Sequence, residues 1–315
     1  MSSARYIARR ALEYLAMWLA ATALDFAVPR LAPLTPVREP GGELARAMGL
    51  GKPVYEQYFI FLWNAVHLDL GTSLWLYGTP VAYLVARALQ YDVVLLAPAI
   101  LISWILGNRL GAYLAIEKRG TALDKAVVPV LYAMSSAPYF WWALLLVEIF
   151  SAELRLLPPT GVIYSQLPSL TPSYVADFLR HLATPLAALV LAMTGAWALS
   201  MREIAISELR SGYVAYEEAL GFSGRIIRGH IRRNSRPPQL ANLAVSLGLI
   251  ASGNMVLEAV VGYPGVGVLL YNALSNYDYV LIQGIFFVVV SLILALNFAV
   301  DVATALTDPR AGRPA

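Results

Sequence analysis

Few side chains in this sequence carry reactive chemistry, and they are not grouped as catalysis would need. The three histidines, His67, His181 and His230, stand far apart, without metal-ligand spacing. The chain has no cysteine, which excludes disulfides and thiolate metal centres. Gly49-Leu50-Gly51-Lys52-Pro53 holds the residue types of a phosphate-cradling loop but not the G-x-x-x-x-G-K-[ST] frame. A membrane-embedded enzyme would need clustered nucleophile and base groups, and none occurs. The expectation is a chain that is not an enzyme and binds no cofactor or metal of its own.

The remaining candidates are ionisable residues inside apolar runs: Glu13, Asp25, Arg109, Glu148 and Asp301. A charge at bilayer depth costs about 2.5–3.5 kcal/mol on insertion scales, so each needs a reason to be there. Asp25, Arg109 and Glu148 fall near span ends, where an interfacial position or an interhelical partner suffices. Asn297 and Asp301 share one helical face at i, i+4. Interhelical hydrogen bonds are their expected role, with substrate contact as the alternative. A proton-coupled secondary carrier would need a relay of midplane carboxylates, and only Asp301 approaches that description. Paired helix interruptions in two halves, usual in such carriers, are also missing.

The elements that position these residues follow from composition. Of 315 residues, 59% are hydrophobic and 14% charged, against about 45–50% and 25% in soluble domains. The excess lies in long runs, and roughly 20 apolar residues cross a bilayer. Six spans are expected: Ala11–Val28, Asp92–Ile116, Ala126–Phe150, His181–Met201, Leu240–Leu257 and Val280–Leu306. Residues 1–91 form a first span with an external loop subdomain, carrying short helices around Gly42–Gly49 and Val54–His67. Residues 92–315 form the core. Arg5, Arg9 and Arg10 precede the first apolar run, which lacks a cleavage-site exit and is expected to remain as a span.

Lys and Arg concentrate in the N-terminus, 117–125, 202–239 and the C-terminal tail, while 258–279 has none. The positive-inside bias then places both termini in the cytoplasm of a multi-pass cell-membrane protein, with 29–91, 151–180 and 258–279 outside. Tyr139-Phe140-Trp141-Trp142, in the middle of the third span, is expected to pack.

Segment 202–238 is too polar to span and too long for a turn. A short helix, Gly212–Leu220, should end at Gly221, which accepts the left-handed conformation that closes a helix. A second should run from Gly224 and stop before Pro237-Pro238. Two short helices bent at a glycine form a cytoplasmic knob able to insert into a partner and transmit rigid-body motion.

Tyr213-Val214, Ala219, Gly221, His230, Asn234 and Pro238 resemble the EAA loop of ABC importer permeases, in the peptide/nickel subfamily of dipeptide- and oligopeptide-permease B type. The resemblance runs nearly end to end. It includes Asp69-Leu70-Gly71-Thr72-Ser73 with Pro80-Val81, Leu123-Asp124, Ser136 to Trp141, Leu157-Pro158, Gly161 and His181 with Pro185. It continues through Glu258, Tyr263 to Gly267, Asp278-Tyr279, Gln283, Asn297, Asp301 and Asp308-Pro309-Arg310. Glu217 and Glu218 are the loop's acidic residues, and Arg236-Pro237 departs from the apolar residues usual there.

This resemblance implies an all-α, polytopic type I permease fold of six spans, working by alternating access. It implies an ATP-driven importer of short peptides, with oligosaccharides or nickel complexes as alternative cargo. Its partners would be a second permease, two cytoplasmic ATPases that bind ATP and Mg, an extracytoplasmic solute-binding protein and membrane lipid; nucleic acid is not among them. Tyr213, Glu217, Glu218, Ala219, Gly221, His230, Asn234 and Pro238 would meet the ATPase. Glu258, Tyr263, Pro264, Gly265 and Gly267 would form an external gate, although an ordinary turn fits the same residues.

Overall fold

Long apolar runs with few helix breakers give long helices, and the computed structural model is built of them. It describes residues 3–31, 52–159, 161, 171–248 and 254–307. Twelve helices follow in order among these residues: α1 Ser3–Leu31, α2 Val54–Val66, α3 Val81–Ile116, α4 Ala122–Ser136, α5 Tyr139–Val147, α6 Pro172–Leu209, α7 Gly212–Ala219, α8 Gly224–Asn234, α9 Arg236–Gly248, α10 Met255–Val261, α11 Val266–Ser275 and α12 Tyr279–Thr307. Helix α5 continues as a π-helical stretch, Glu148–Glu153. Among the described residues, four helices are long and apolar enough to cross a membrane, or up to six spans if each of two bent pairs counts as one.

The differences from the expected spans have local causes. The second span begins eleven residues early, at Val81, because Arg87 and Asp92 do not stop a helix whose other faces are apolar. The third is two helices bent by 99° at Ala137-Pro138, since proline disfavours helix in the residue before it. The aromatic run therefore opens α5 instead of lying mid-span. Trp141 is exposed, and Trp142 donates its indole N–H to the Met134 carbonyl at 3.2 Å. The expected fifth span, Leu240–Leu257, covers part of α9, residues outside the described set and the start of α10; the bent pair in that region is α10 with α11. Val54–Val66 is helical as expected, while Gly42–Gly49 lies outside the described residues.

The chain divides into two compact units, described separately. The first draws on Met1–Asp92, Ala251–Met255 and Pro264–Ala315. Its core holds Val81, Val85, Ala88, Val266, Leu281 and Ile285, with Phe61 and Trp18 against it. Helix α1 packs along α12, joined by the Trp18 indole donating to Ser291 at 2.8 Å and by an edge-to-face Tyr14–Phe298 contact. Buried Asp278 caps α12 through the Leu281 N–H at 3.0 Å. It also accepts from the Ser73 hydroxyl at 2.5 Å and the Trp75 N–H at 3.1 Å. One carboxylate thus holds the 69–80 turn onto a helix start. Asp92 does a similar job for α11, accepting from the Val266 N–H at 3.1 Å.

The second unit draws on Val93–Ile250 and Val256–Tyr263. Close helix contacts at glycines hold it. A Cβ at Gly107 or Gly111 of α3 would collide with Trp197 or Ala198 of α6, and one at Gly195 would lie 2.6 Å from the Leu131 carbonyl of α4. Small residues at such spacing let membrane helices approach backbone to backbone. Asp124 and Arg202 then fix α4 to α6 by a two-pronged ion pair at 2.8 and 3.0 Å, both groups largely buried.

Candidate functional site

The 202–238 segment forms the knob its sequence implies. Helix α7 ends in a pair of bonds that satisfy its last carbonyls: Gly221 N–H to Glu218 at 3.0 Å and Phe222 N–H to Glu217 at 3.1 Å. This pattern needs a left-handed residue after the cap, and Gly221 has φ of 77°. The helix stops at Ala219, with Leu220 as its cap. Helix α8 ends at Asn234, and Pro237-Pro238 lie in the first turn of α9. The two prolines start a helix here; they do not end one. In a first turn their missing N–H groups would have no intrahelical partner in any case.

Between α7 and α8 sits a small core of Val214, Ile227 and Ile231, with Ile116, Leu209 and Tyr213 packed against it. Ile227 and Ile231 share one face of α8, and the arginines take the others. Across the turn, His230 Nδ1 lies 2.8 Å from Glu217 Oε1. The Tyr213 hydroxyl donates to Glu208 at 2.9 Å. Burial raises that hydroxyl above the ordinary tyrosine range; the Asn234 amide opposes the shift and the Glu208 carboxylate adds to it. Four of the eight residues singled out in this loop, Tyr213, Glu217, His230 and Asn234, therefore bond within it. Gly221 makes the bend, Pro238 opens α9, and Ala219 and Glu218 are exposed.

The knob is tied to the spans. Glu117, just past the end of α3, accepts from Arg232 at 2.7 Å and faces Arg228 at 3.6 Å. With Asp124–Arg202, this joins α8, α3, α4 and α6 by charge pairs. Glu117 has no distinguishing signal in sequence, since an acid beside a basic segment is common. The outer face carries Tyr216 and Leu220, one helical turn apart, then Phe222, all exposed. Sequence reasoning missed these three, although apolar residues at i, i+4 on an otherwise polar helix are the signal that finds them.

The second group of candidates surrounds the break after α10. Gly262 is left-handed at φ 63°, and extended Gly265 caps α11. Glu258 and Tyr263 are buried, and the Tyr263 N–H donates to the Glu258 carbonyl at 2.7 Å. Pro264 is half-buried. A Cβ on Gly267 would lie 2.5 Å from the Met255 backbone, so glycine is required by packing. Gly161 donates its N–H to the Val261 carbonyl at 2.6 Å and packs under the Tyr263 ring. Within the second unit, the backbone leaving α10 is thus covered by Gly161.

The third group separates. Asp301 accepts from the Tyr14 hydroxyl at 3.1 Å and faces Arg10 at 3.3 Å, linking α12 to α1. Asn297 stands one turn before it on α12. Glu13 pairs with Arg9 and Arg10. His67 and His181 bond to the carbonyls four residues before them, and no group of three metal-ligating side chains occurs among the described residues.

Residues 107–313, which include the knob, the break after α10 and Asp301, match the family described as binding-protein-dependent transport system inner membrane component. The chain belongs to that family. This permease component is also similar to the di/tripeptide transport system permease protein DppB of Pseudomonas aeruginosa, at 30% identity over 97% of this chain and 98% of that one. It is 26% identical to the oligopeptide transport system permease protein AppB of Bacillus subtilis, over 98% and 99% of the two chains. To the metal-staphylopine import system permease protein CntB of Staphylococcus aureus it is 27% identical, over 83% and 79%. Membership makes the chain a multi-pass inner-membrane subunit of a transport system, with a transport role and not an enzymatic one.

Proposed function

We propose that this permease component conducts short peptides inward, driven by separate ATPase subunits that dock on the α7–α8 knob. The observation that carries the proposal is the knob itself. It is a helix pair closed at left-handed Gly221, braced by His230–Glu217, with Tyr216, Leu220 and Phe222 exposed on a polar segment. Exposed apolar residues in such a place fit a protein partner. The ion pairs to Glu117 and Asp124–Arg202 give a path by which motion of the knob tilts α3, α4 and α6 together.

The partners proposed are a second, similar permease, two ATPases holding ATP and Mg, and an extracytoplasmic binding protein. Both termini are proposed to be cytoplasmic. Contacts within each unit support that assignment: Glu117 meets Arg232, both from segments placed inside, and Ser73 meets Asp278, both placed outside. Peptide is the cargo favoured by the names of the relatives similar over nearly their whole length. The staphylococcal relative keeps a metal chelate as the second reading.

Purified from its own membrane in mild detergent, the full-length chain should bring ABC ATPases and a second permease with it. Proteoliposomes of that assembly should take up labelled di- and tripeptides only when supplied with ATP. Saturable nucleotide binding by the isolated chain, or uptake driven by a proton gradient without ATP, would overturn the reading.

A further inference from the structure

Within the second unit, Arg109 of α3, Arg232 of α8 and Arg236 of α9 line a cavity of about 590 Å³. No carboxylate lines it among the described residues. Arg232 is held by Glu117. Arg109 and Arg236 have no side-chain hydrogen bond or ion pair among the described residues, and both are exposed. Two uncompensated guanidiniums lining one cavity repel each other and attract an anion. Their planar forks also match the oxygen geometry of a phosphate.

The rest of the lining is two amides, Asn108 and Gln239, among apolar and aromatic side chains. Trp104 forms part of the wall and donates its indole N–H to the Gln239 carbonyl at 3.2 Å. Ile105, Tyr113 and Leu240 are exposed, so the cavity opens onto an apolar surface. A basic pole beside an apolar lip suits an amphiphilic anion better than a hydrophilic one.

Position along α3 gives the depth. Asp92 and Arg109 bracket the apolar part of that helix, about 26 Å apart at 1.5 Å per residue. The hydrocarbon of a bilayer is about 30 Å thick. Arg109 therefore stands at the boundary between acyl chains and headgroups, the level at which Trp and Tyr side chains also collect. A phospholipid phosphate lies at that level without being drawn out of its leaflet.

We propose that this cavity binds the phosphate of an anionic phospholipid from the leaflet beside the knob, with Arg109 and Arg236 as its ligands. The acyl chains leave past Ile105 and Leu240. The α8–α9 junction, which adjoins the knob, then rests on a lipid headgroup. None of this depends on which solute is carried.

The test is native mass spectrometry of the full-length chain, delipidated in detergent and titrated with phosphatidylglycerol or phosphatidylcholine. The wild type should retain one phosphatidylglycerol at activation energies that strip phosphatidylcholine. Arg109→Gln with Arg236→Gln should lower that retention tenfold or more. Arg5→Gln with Arg9→Gln, which removes the same two charges elsewhere, should leave it unchanged. A double lysine variant should keep part of the retention, since charge survives and the fork does not. If the double glutamine variant does not fold, as judged by its melting temperature, each single variant should lose at least threefold. Equal retention of both lipids overturns the proposal, as does undiminished binding in the glutamine variants. So does displacement of the lipid by millimolar inorganic phosphate, which marks a free-anion site, or by a short peptide, which marks a solute site.

Discussion

His230 Nδ1 stands 2.8 Å from Glu217 Oε1, joining two short helices on either side of a left-handed glycine. The glycine sets the direction of the turn, and the polar pair limits how far the two helices can swing apart. A net hydrogen bond to a charged group contributes about 1.5–3 kcal/mol when well formed. His230 is half exposed, so the lower end applies. His230→Ala and Glu217→Gln should each weaken ATPase co-purification severalfold while leaving insertion intact. In a double-mutant cycle the pair should be non-additive, the double variant losing no more than the worse single one. Additive losses would show that the two residues act separately.

The orientation is tested by labelling, and the structure decides where to place the probe. Ser73 lies in a segment expected outside, but it is buried and bonded to Asp278. A cysteine there would be shielded whatever the topology. Tyr77, at the tip of the same turn, is 97% exposed. Tyr77→Cys should react with an impermeant thiol reagent on intact cells. Ser223→Cys, at the exposed start of α8, should react only after permeabilisation. The opposite pattern would invert the topology.

Asp278 should prove a structural residue of the first unit. It accepts from Ser73, Trp75 and Leu281 while fully buried. Asp278→Ala leaves the Ser73 hydroxyl and two N–H groups without that acceptor, at about 1–3 kcal/mol for each group left unsatisfied. The variant should unfold at lower temperature, and the 69–80 turn should become protease-sensitive. Ser73→Ala removes one donor to that carboxylate and the acceptor of the Leu76 N–H, but leaves the Trp75 and Leu281 bonds to Asp278, and should cost less, about 1–2 kcal/mol. Equal effects of the two would show that the cap on α12 contributes nothing.

Much of this architecture is legible in sequence, for reasons specific to its residues. Apolar runs long enough to cross a bilayer identify α1, α3, α6 and α12, and Gly221 between two short amphipathic stretches identifies the knob. The bend at Pro138 was less visible, because an apolar run reads the same whether straight or broken by 99°. Pro237-Pro238 misled in a different way: proline both ends and begins helices, and the next apolar run decides which. Glu117, Asp124 and Asp278 act through partners distant in sequence, 115, 78 and 205 positions away. No periodicity reports such pairs. The break after α10 needed coordinates for the same reason, since Gly267 is required by Met255 and Gly161 by the Tyr263 ring.

The coupling role of the knob is most directly tested at Gly221. Its φ is 77°, and an added Cβ would meet nothing within 4 Å. Any penalty on substitution is therefore conformational and not steric crowding by neighbours. A left-handed non-glycine residue costs roughly 1–2 kcal/mol, and a β-branched one tolerates that region least. Gly221→Ala should thus weaken the turn, and Gly221→Val should open it, releasing the Gly221 and Phe222 N–H bonds that close α7. Gly224 is the control. It begins α8 outside the left-handed region, and a Cβ there meets only the end of the flexible Arg228 side chain, at 3.3 Å. Gly224→Ala should be near neutral. At matched expression, Gly221→Val should insert normally yet lose most ATPase co-purification and peptide uptake, with Gly221→Ala intermediate. If Gly221→Val keeps full ATPase binding and uptake, the ATPase does not dock on this turn, and the ion pairs behind it are not the route by which the spans are moved.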